Sequence, residues 1–134
     1  MPHLAGALLG GAILTLMPFT AAAADPGQPS MLRLSVTTGP ITEPNGGTTS
    51  SYRALILTCD PPNGYHPRAK EACAQLEASG GKIEKDPGDV ICTKEYSPRT
   101  VEAEGVWNGS EISFRRTYGN ACEMGAATGI LFDF

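Results

Sequence analysis

From residue 30 onward, apolar and polar positions alternate in blocks that match strands, interrupted by one stretch of helical spacing. Leu32, Leu34 and Val36 alternate with Arg33, Ser35 and Thr37, the period of a half-buried strand. Pro44, Asn45, Gly46 and Gly47 then mark a flexible loop across 40–50. Tyr52 to Cys59 reads as a second strand, and Ala54-Leu55-Ile56-Leu57, apolar on both faces, predicts a central place in the sheet. Asp60 to Tyr65 is turn-rich. Ala69, Ala72, Cys73 and Leu76 fall at helical spacing, so a helix is expected with Pro67 near its first turn and Gly80-Gly81 beyond its end.

Asn108-Gly109 is the clearest short-range signal, because this pair suits a two-residue hairpin turn. That turn sets Glu102 opposite Arg115, Glu104 opposite Ser113 and Val106 opposite Glu111. Val101, Ala103, Ile112 and Phe114 fall on the other face, with Trp107 beside the turn. One face polar and one mostly apolar make the register self-consistent. Asn108-Gly109-Ser110 also fits a glycosylation acceptor, but the turn accounts for it. Asn120 to Ala127 fits a short helix, and Ile130 to Phe134 a closing strand. The expected fold is α+β: an antiparallel sheet of about five strands with one main helix and one short helix packed on it, and two disulfides.

The first residues stand apart from this pattern. Leu4 to Phe19 is almost wholly apolar, and Ala21 to Ala24 precede Asp25, which reads as a cleaved secretion signal over 1–24 followed by one domain over 25–134. The apolar run is short of the roughly 20 residues that a membrane span needs. The expected location is therefore extracellular, with no membrane association after signal removal. No charged residue precedes Asp25, so the net charge of −4 belongs wholly to the domain. Mild, dispersed acidity without a basic stripe argues against nucleic acid.

Export gives the four cysteines their meaning. Cys59, Cys73, Cys92 and Cys122 all follow the signal, and an even count in an exported chain predicts disulfides. No C-x-x-C pair supports zinc. Three pairings are open, of which the sequential one, Cys59–Cys73 with Cys92–Cys122, closes the shortest loops. Each such bridge would contribute roughly 3–4 kcal/mol.

Catalytic machinery is scarce. His66, before Pro67, is the only histidine beyond the signal and suits a capping or surface role. A hydrolase would have to be built on it alone. There is no G-x-S-x-G elbow and no phosphate-binding glycine loop. No cofactor or metal is expected. What stands out is Cys92-Thr93-Lys94-Glu95-Tyr96-Ser97-Pro98, where Cys92 would tether a loop at its start and Pro98 would stiffen its exit. A stiff extended loop with an accessible lysine is what a trypsin-like protease accepts as substrate.

Taken together, Thr58-Cys59, Cys73 in the helix, Cys92 to Pro98, Gly105 to Gly109, Asn120-Ala121-Cys122-Glu123-Met124 and Phe132-Asp133-Phe134 resemble the subtilisin inhibitors of Streptomyces and related actinobacteria. The resemblance covers nearly all of 30–134. It implies serine protease inhibition, disulfides Cys59–Cys73 and Cys92–Cys122, a five-stranded sheet with two helices, and a homodimer. It also implies a reactive bond at Lys94–Glu95, two residues beyond the third cysteine. On that reading Ile91, Cys92, Thr93 and Tyr96 contact the protease, while Pro98 and Asn120 support the loop, Asn120 serving equally well as a cap for the short helix. The chain departs from the family's usual pattern in Thr93, where proline is common, and in Glu95, where an apolar residue is common. Trypsin-like and subtilisin-like enzymes are the expected targets. The competing expectation is a secreted binding module whose loop engages another extracellular partner, such as a transglutaminase.

Overall fold

The computed structural model describes Gly11, Leu14, residues 16–18, Gly27 and residues 29–134. The expected signal over 1–24 lies largely outside the described residues. Among the described residues, no helix is long and apolar enough to cross a membrane.

Seven elements follow one another: β1 (Ser30–Thr42), β2 (Thr48–Cys59), β3 (Asn63–Gly64), α1 (Ala69–Ser79), β4 (Arg99–Trp107), β5 (Ser110–Tyr118) and α2 (Ala121–Thr128). The strands form one antiparallel sheet in the order β3-β2-β1-β4-β5. Its inner face carries Leu32, Leu34 and Val36 from β1, Leu57 from β2, and Val101 and Ala103 from β4, all buried. Ala72, Cys73 and Leu76 of α1 close over that face, as their helical spacing requires. The Asn108-Gly109 turn gives the expected register: Glu102 pairs with Arg115, Glu104 with Ser113 and Val106 with Glu111. Asn108 and Gly109 both take positive φ, 44° and 79°, as this turn demands.

Three local expectations are corrected. First, β1 and not β2 is central, pairing with β2 on one side and β4 on the other. On β2, Ala54 and Ile56 share the outer face with Ser35 and Arg33, so the double-sided apolar run reflects partial cover and not two buried faces. Second, Ile130 to Phe134 is no strand. Leu131 and Phe132 are buried there, yet their segment folds into turns, with Leu131 N donating to Thr128 O (3.4 Å) and Asp133 N to Ile130 O (3.1 Å). The fifth strand is instead the two-residue β3, inside the turn-rich stretch. Third, the loop expected over 40–50 shrinks to 43–47. Glu43 N donates to Gly47 O at 2.7 Å, and the strands run on to either side.

Two disulfides fasten the layers. Cys59–Cys73 joins the end of β2 to α1, and Cys92–Cys122 joins the 80–98 segment to α2. His66 is buried and not on the surface. Its Nδ1 accepts from Arg68 N (3.0 Å), its Nε2 lies 3.1 Å from Leu131 O, and its ring meets Phe134 edge-on. It thus ties the entry to α1 onto the C-terminal turns.

Candidate functional site

The segment between α1 and β4 leaves the core at Ile83, which is buried, and returns to it at Pro98, also buried. Its entry is fastened twice. Lys85 N donates to Ala127 O at 2.8 Å, and the Glu84 carboxylate accepts from Tyr118 Oη at 2.7 Å and pairs with Arg116 at 2.8 Å. Burial, and then the hydrogen bond to Glu84, push the Tyr118 hydroxyl well above its ordinary titration range.

The exit is fastened by backbone. Ser97 N donates to Gly119 O (2.9 Å), and Pro98 O accepts from Gly39 N (3.0 Å) in the irregular stretch of β1. Gly39 has φ +104°, and a Cβ there would sit 2.6 Å from Thr49 O, so glycine is required for this contact. Arg99 Nη1 adds a bond to Ser97 Oγ at 3.2 Å.

Between these anchors the chain stands out from the body. Ile91 is 95% exposed, Tyr96 81%, and the Lys94 side chain 93%. Thr93 and Glu95 are exposed as well. Cys92 is partly buried through its bond to Cys122. Exposure alone would describe any surface loop; the difference lies beneath it.

Asn120 is buried, and all of its side chain is engaged. Nδ2 donates to Thr93 O and to Glu95 O, each at 2.9 Å, and Oδ1 accepts from Glu123 N at 2.9 Å. One amide therefore holds the carbonyls on both sides of Lys94 and caps α2 at the same time. The two roles foreseen for Asn120 are combined in one side chain. Glu123, whose part the sequence reading did not assign, adds to the support. Its Oε2 accepts from Gly119 N (3.1 Å) and its Oε1 lies 3.7 Å from Lys94 Nζ. The N-x-x-E spacing of Asn120 and Glu123 is the signal that would have found it, as the start of a capped helix.

No group of histidine, cysteine, aspartate or glutamate suited to holding a metal occurs among the described residues. The hollows flanking the loop are shallow. One is lined by Pro87, Val90, Lys94, Glu123 and Ala127, the other by Thr93, Glu95, Arg99 and Asn120. The arrangement is a protruding, braced peptide segment, suited to entering another molecule's cleft.

A family model described as subtilisin inhibitor-like matches residues 28–120. The chain belongs to the subtilisin inhibitor-like family. That family consists of inhibitors and not of enzymes. Among curated relatives, protease inhibitor SIL-V5 of Streptomyces luteoverticillatus is 43% identical over 110 residues, covering 79% of this chain and 98% of that protein. The transglutaminase-activating metalloprotease inhibitor of Streptomyces mobaraensis is 41% identical over 110 residues, covering 79% and 72%. Among solved structures, Streptomyces caespitosus sermetstatin in complex with Bacillus licheniformis subtilisin superposes with a TM-score of 0.59 at 30% identity, covering 80% of this chain and all of that one. The subtilisin inhibitor-like architecture thus accounts for the sheet, the two helices and the two disulfides seen here.

Proposed function

We propose that this protein is a secreted inhibitor of trypsin-like and subtilisin-like serine proteases, acting as a substrate whose reactive bond is Lys94–Glu95. The observation that carries the reading is the Asn120 amide, which holds Thr93 O and Glu95 O around an exposed Lys94. Sermetstatin's complex with subtilisin and the inhibitor names of the relatives support it.

Docking would begin with residues Ile91 to Lys94 lying along the protease cleft as an added strand, so that main-chain hydrogen bonds supply affinity whatever the side chains. Ile91, almost fully exposed, would fill an apolar subsite, and Tyr96 would contact the enzyme beyond the bond. Lys94 would enter the primary pocket, where a trypsin-like enzyme offers an aspartate to its ammonium. Because the loop is already held by Asn120, Cys92–Cys122, Ser97 and Pro98, little conformational entropy is lost on binding.

The same anchors would govern cleavage. If the enzyme's serine attacks the Lys94 carbonyl carbon, the departing Glu95 amine stays tethered, because Asn120 and the backbone bond from Ser97 hold its side of the break. Effective molarities for groups held in this way reach about 10⁵–10⁸ M, so resynthesis of the bond outpaces release of the fragments.

Secretion through a signal over 1–24 belongs to this reading, supported by the apolar leader and by two disulfides in a short chain. So does a homodimer formed across the outer face of the sheet. Met31 and Tyr52 are about half exposed on that face, and Arg33, exposed on it too, lies along Tyr52, with Nη2 donating to Tyr52 Oη at 2.6 Å. Sedimentation of the purified protein tests the pairing.

Titration of trypsin and of subtilisin with the purified protein tests the main proposal. Stoichiometric loss of activity is expected with both enzymes. Full activity at molar excess would overturn it and leave the binding-module alternative.

A further inference from the structure

Asn-Gly occurs three times in the described chain: Asn45-Gly46, Asn63-Gly64 and Asn108-Gly109. In such a pair the glycine nitrogen can attack the asparagine side-chain carbonyl unhindered, since no Cβ stands in the way. All three asparagines are exposed, so access to water does not distinguish them. Their hydrogen bonds do.

At the 43–47 turn, Gly46 N is given to Glu43 O at 2.9 Å, and Asn45 Oδ1 is held by Gly47 N at 2.9 Å. Nucleophile and target carbonyl are each engaged elsewhere. In the β4–β5 hairpin, Ser30 Oγ accepts from Asn108 N (3.0 Å) and lies 3.4 Å from Asn108 Oδ1, which draws the side chain across toward β1. At β3 the geometry is reversed: Gly64 N points at Asn63's own side-chain carbonyl, 2.8 Å from Oδ1. The hydrogen bond holds the nitrogen that must attack beside the side-chain carbonyl, one bond short of the carbon, Cγ, that it must reach.

We propose that Asn63 is a site of spontaneous covalent modification, converted through a succinimide into aspartate and isoaspartate, while Asn45 and Asn108 are protected by their own hydrogen bonds. Gly64 N loses its proton to solvent base and bonds to Asn63 Cγ, closing a five-membered ring. The side-chain nitrogen leaves as ammonia with a proton supplied by water. A water molecule then opens the ring. Cleavage at the side-chain carbonyl gives aspartate with the original backbone; cleavage at the main-chain carbonyl gives isoaspartate. One water is consumed, one ammonia is released, and nothing is oxidised or reduced.

Either product adds a negative charge, and isoaspartate also lengthens the main chain by one carbon. That extra atom displaces Gly64 from its pairing with Leu57, where the fit is tight because a Cβ on Gly64 would run into Ile56 O. β3 is a two-residue element at the border of the sheet, so the damage stays local and leaves residues 92–98 as they are.

Incubation of the folded protein in mildly alkaline buffer, followed by peptide mapping that separates aspartate from isoaspartate, tests the proposal. Conversion at Asn63 is expected to run at least about tenfold ahead of the other two pairs, since proximity is what selects it. In the reduced, urea-unfolded chain the three pairs should react at similar rates. Asn63→Gln should remove the fastest phase of ammonia release from the folded protein. Equal or faster conversion at Asn45 or Asn108 in the folded state, or an unchanged fast phase in Asn63→Gln, would overturn it. These readouts do not involve a protease and stand apart from the inhibitor reading.

Discussion

The side-chain amide of Asn120 donates to the carbonyl oxygens of both Thr93 and Glu95, so one buried residue spans the residue between them, Lys94. Its third bond, accepted from Glu123 N, joins this grip to the start of α2. Loop rigidity and helix capping are therefore coupled through a single group, and substitution can separate them.

Asn120→Asp keeps an oxygen for Glu123 N but loses both donors to the loop. Stability should fall by about 2–4 kcal/mol, because the cap survives but two hydrogen bonds are lost and a buried carboxylate oxygen is set against two carbonyl oxygens. Inhibition should suffer far more, with the Lys94–Glu95 bond hydrolysed during incubation with trypsin. Asn120→Ala, which loses the cap and the same two bonds but brings no charge against the carbonyls, should cost a comparable amount. Thermal melts paired with mass spectrometry of the digest check both. An intact bond in Asn120→Asp would remove the amide from the mechanism.

Lys94→Ala should weaken trypsin binding by about 10²–10³-fold, the loss of a desolvated charge pair in the primary pocket. The fold should not respond, because the Lys94 side chain is 93% exposed and its ion pair with Glu123 is a weak surface one. Inhibition constants and a melting curve measure the two effects, and unaltered trypsin inhibition would exclude Lys94 as the specificity residue.

Replacing Cys92 and Cys122 together by serine should convert inhibitor into substrate. The bridge spans 30 residues of sequence, so its loss should also cost roughly 3–4 kcal/mol by chain entropy. Denaturant unfolding gives the stability change, and the time course of trypsin activity shows whether inhibition is only transient. Lasting inhibition by the double variant would argue that Asn120 and the backbone bonds suffice.

Tyr118 gives a pH signature. Its hydroxyl titrates above the ordinary tyrosine value of about 10 because it is buried and donates to Glu84. The unfolded chain therefore releases this proton first. The stability that it confers is complete below pH about 10 and declines as pH rises further. Tyr118→Phe should flatten that alkaline decline. Urea unfolding across the alkaline range measures it, and identical slopes for both proteins would deny the contribution.

How far the sequence reveals this molecule depends on the range of the interactions. The β4–β5 hairpin was legible because Asn108-Gly109 fixes a turn locally and the turn fixes every pair behind it. α1 was legible from Pro67, the apolar spacing and Gly80, which takes the left-handed conformation just past the helix. Ile130 to Phe134 misled, because burial of Leu131 and Phe132 needs apolar side chains but no ladder, and composition alone does not separate the two. The central place of β1 was hidden as well, since its partner β4 is distant in sequence, with pairs running from Thr38–Arg99 to Met31–Val106, and nothing local announces the pairing. In the loop, the exposed lysine and neighbouring cysteine could be read directly. The two bonds from Asn120 could not, because they join residues 25 and 27 positions apart through a side chain equally fit to cap a helix.

The sheet ends at strands whose outward main-chain groups have few partners. Along β5 that border carries Glu111, Arg115 and Arg116, all exposed, and the part of β2 beyond the reach of β3 carries Arg53 and the polar run Thr48 to Ser51. An incoming strand from a neighbouring molecule would have to dehydrate these charges and hydroxyls before it could hydrogen-bond, so fibre-like stacking is opposed at both margins. On the proposed reading, docking of foreign backbone falls to the tethered segment around Lys94, one adhesive stretch of chain set between guarded margins.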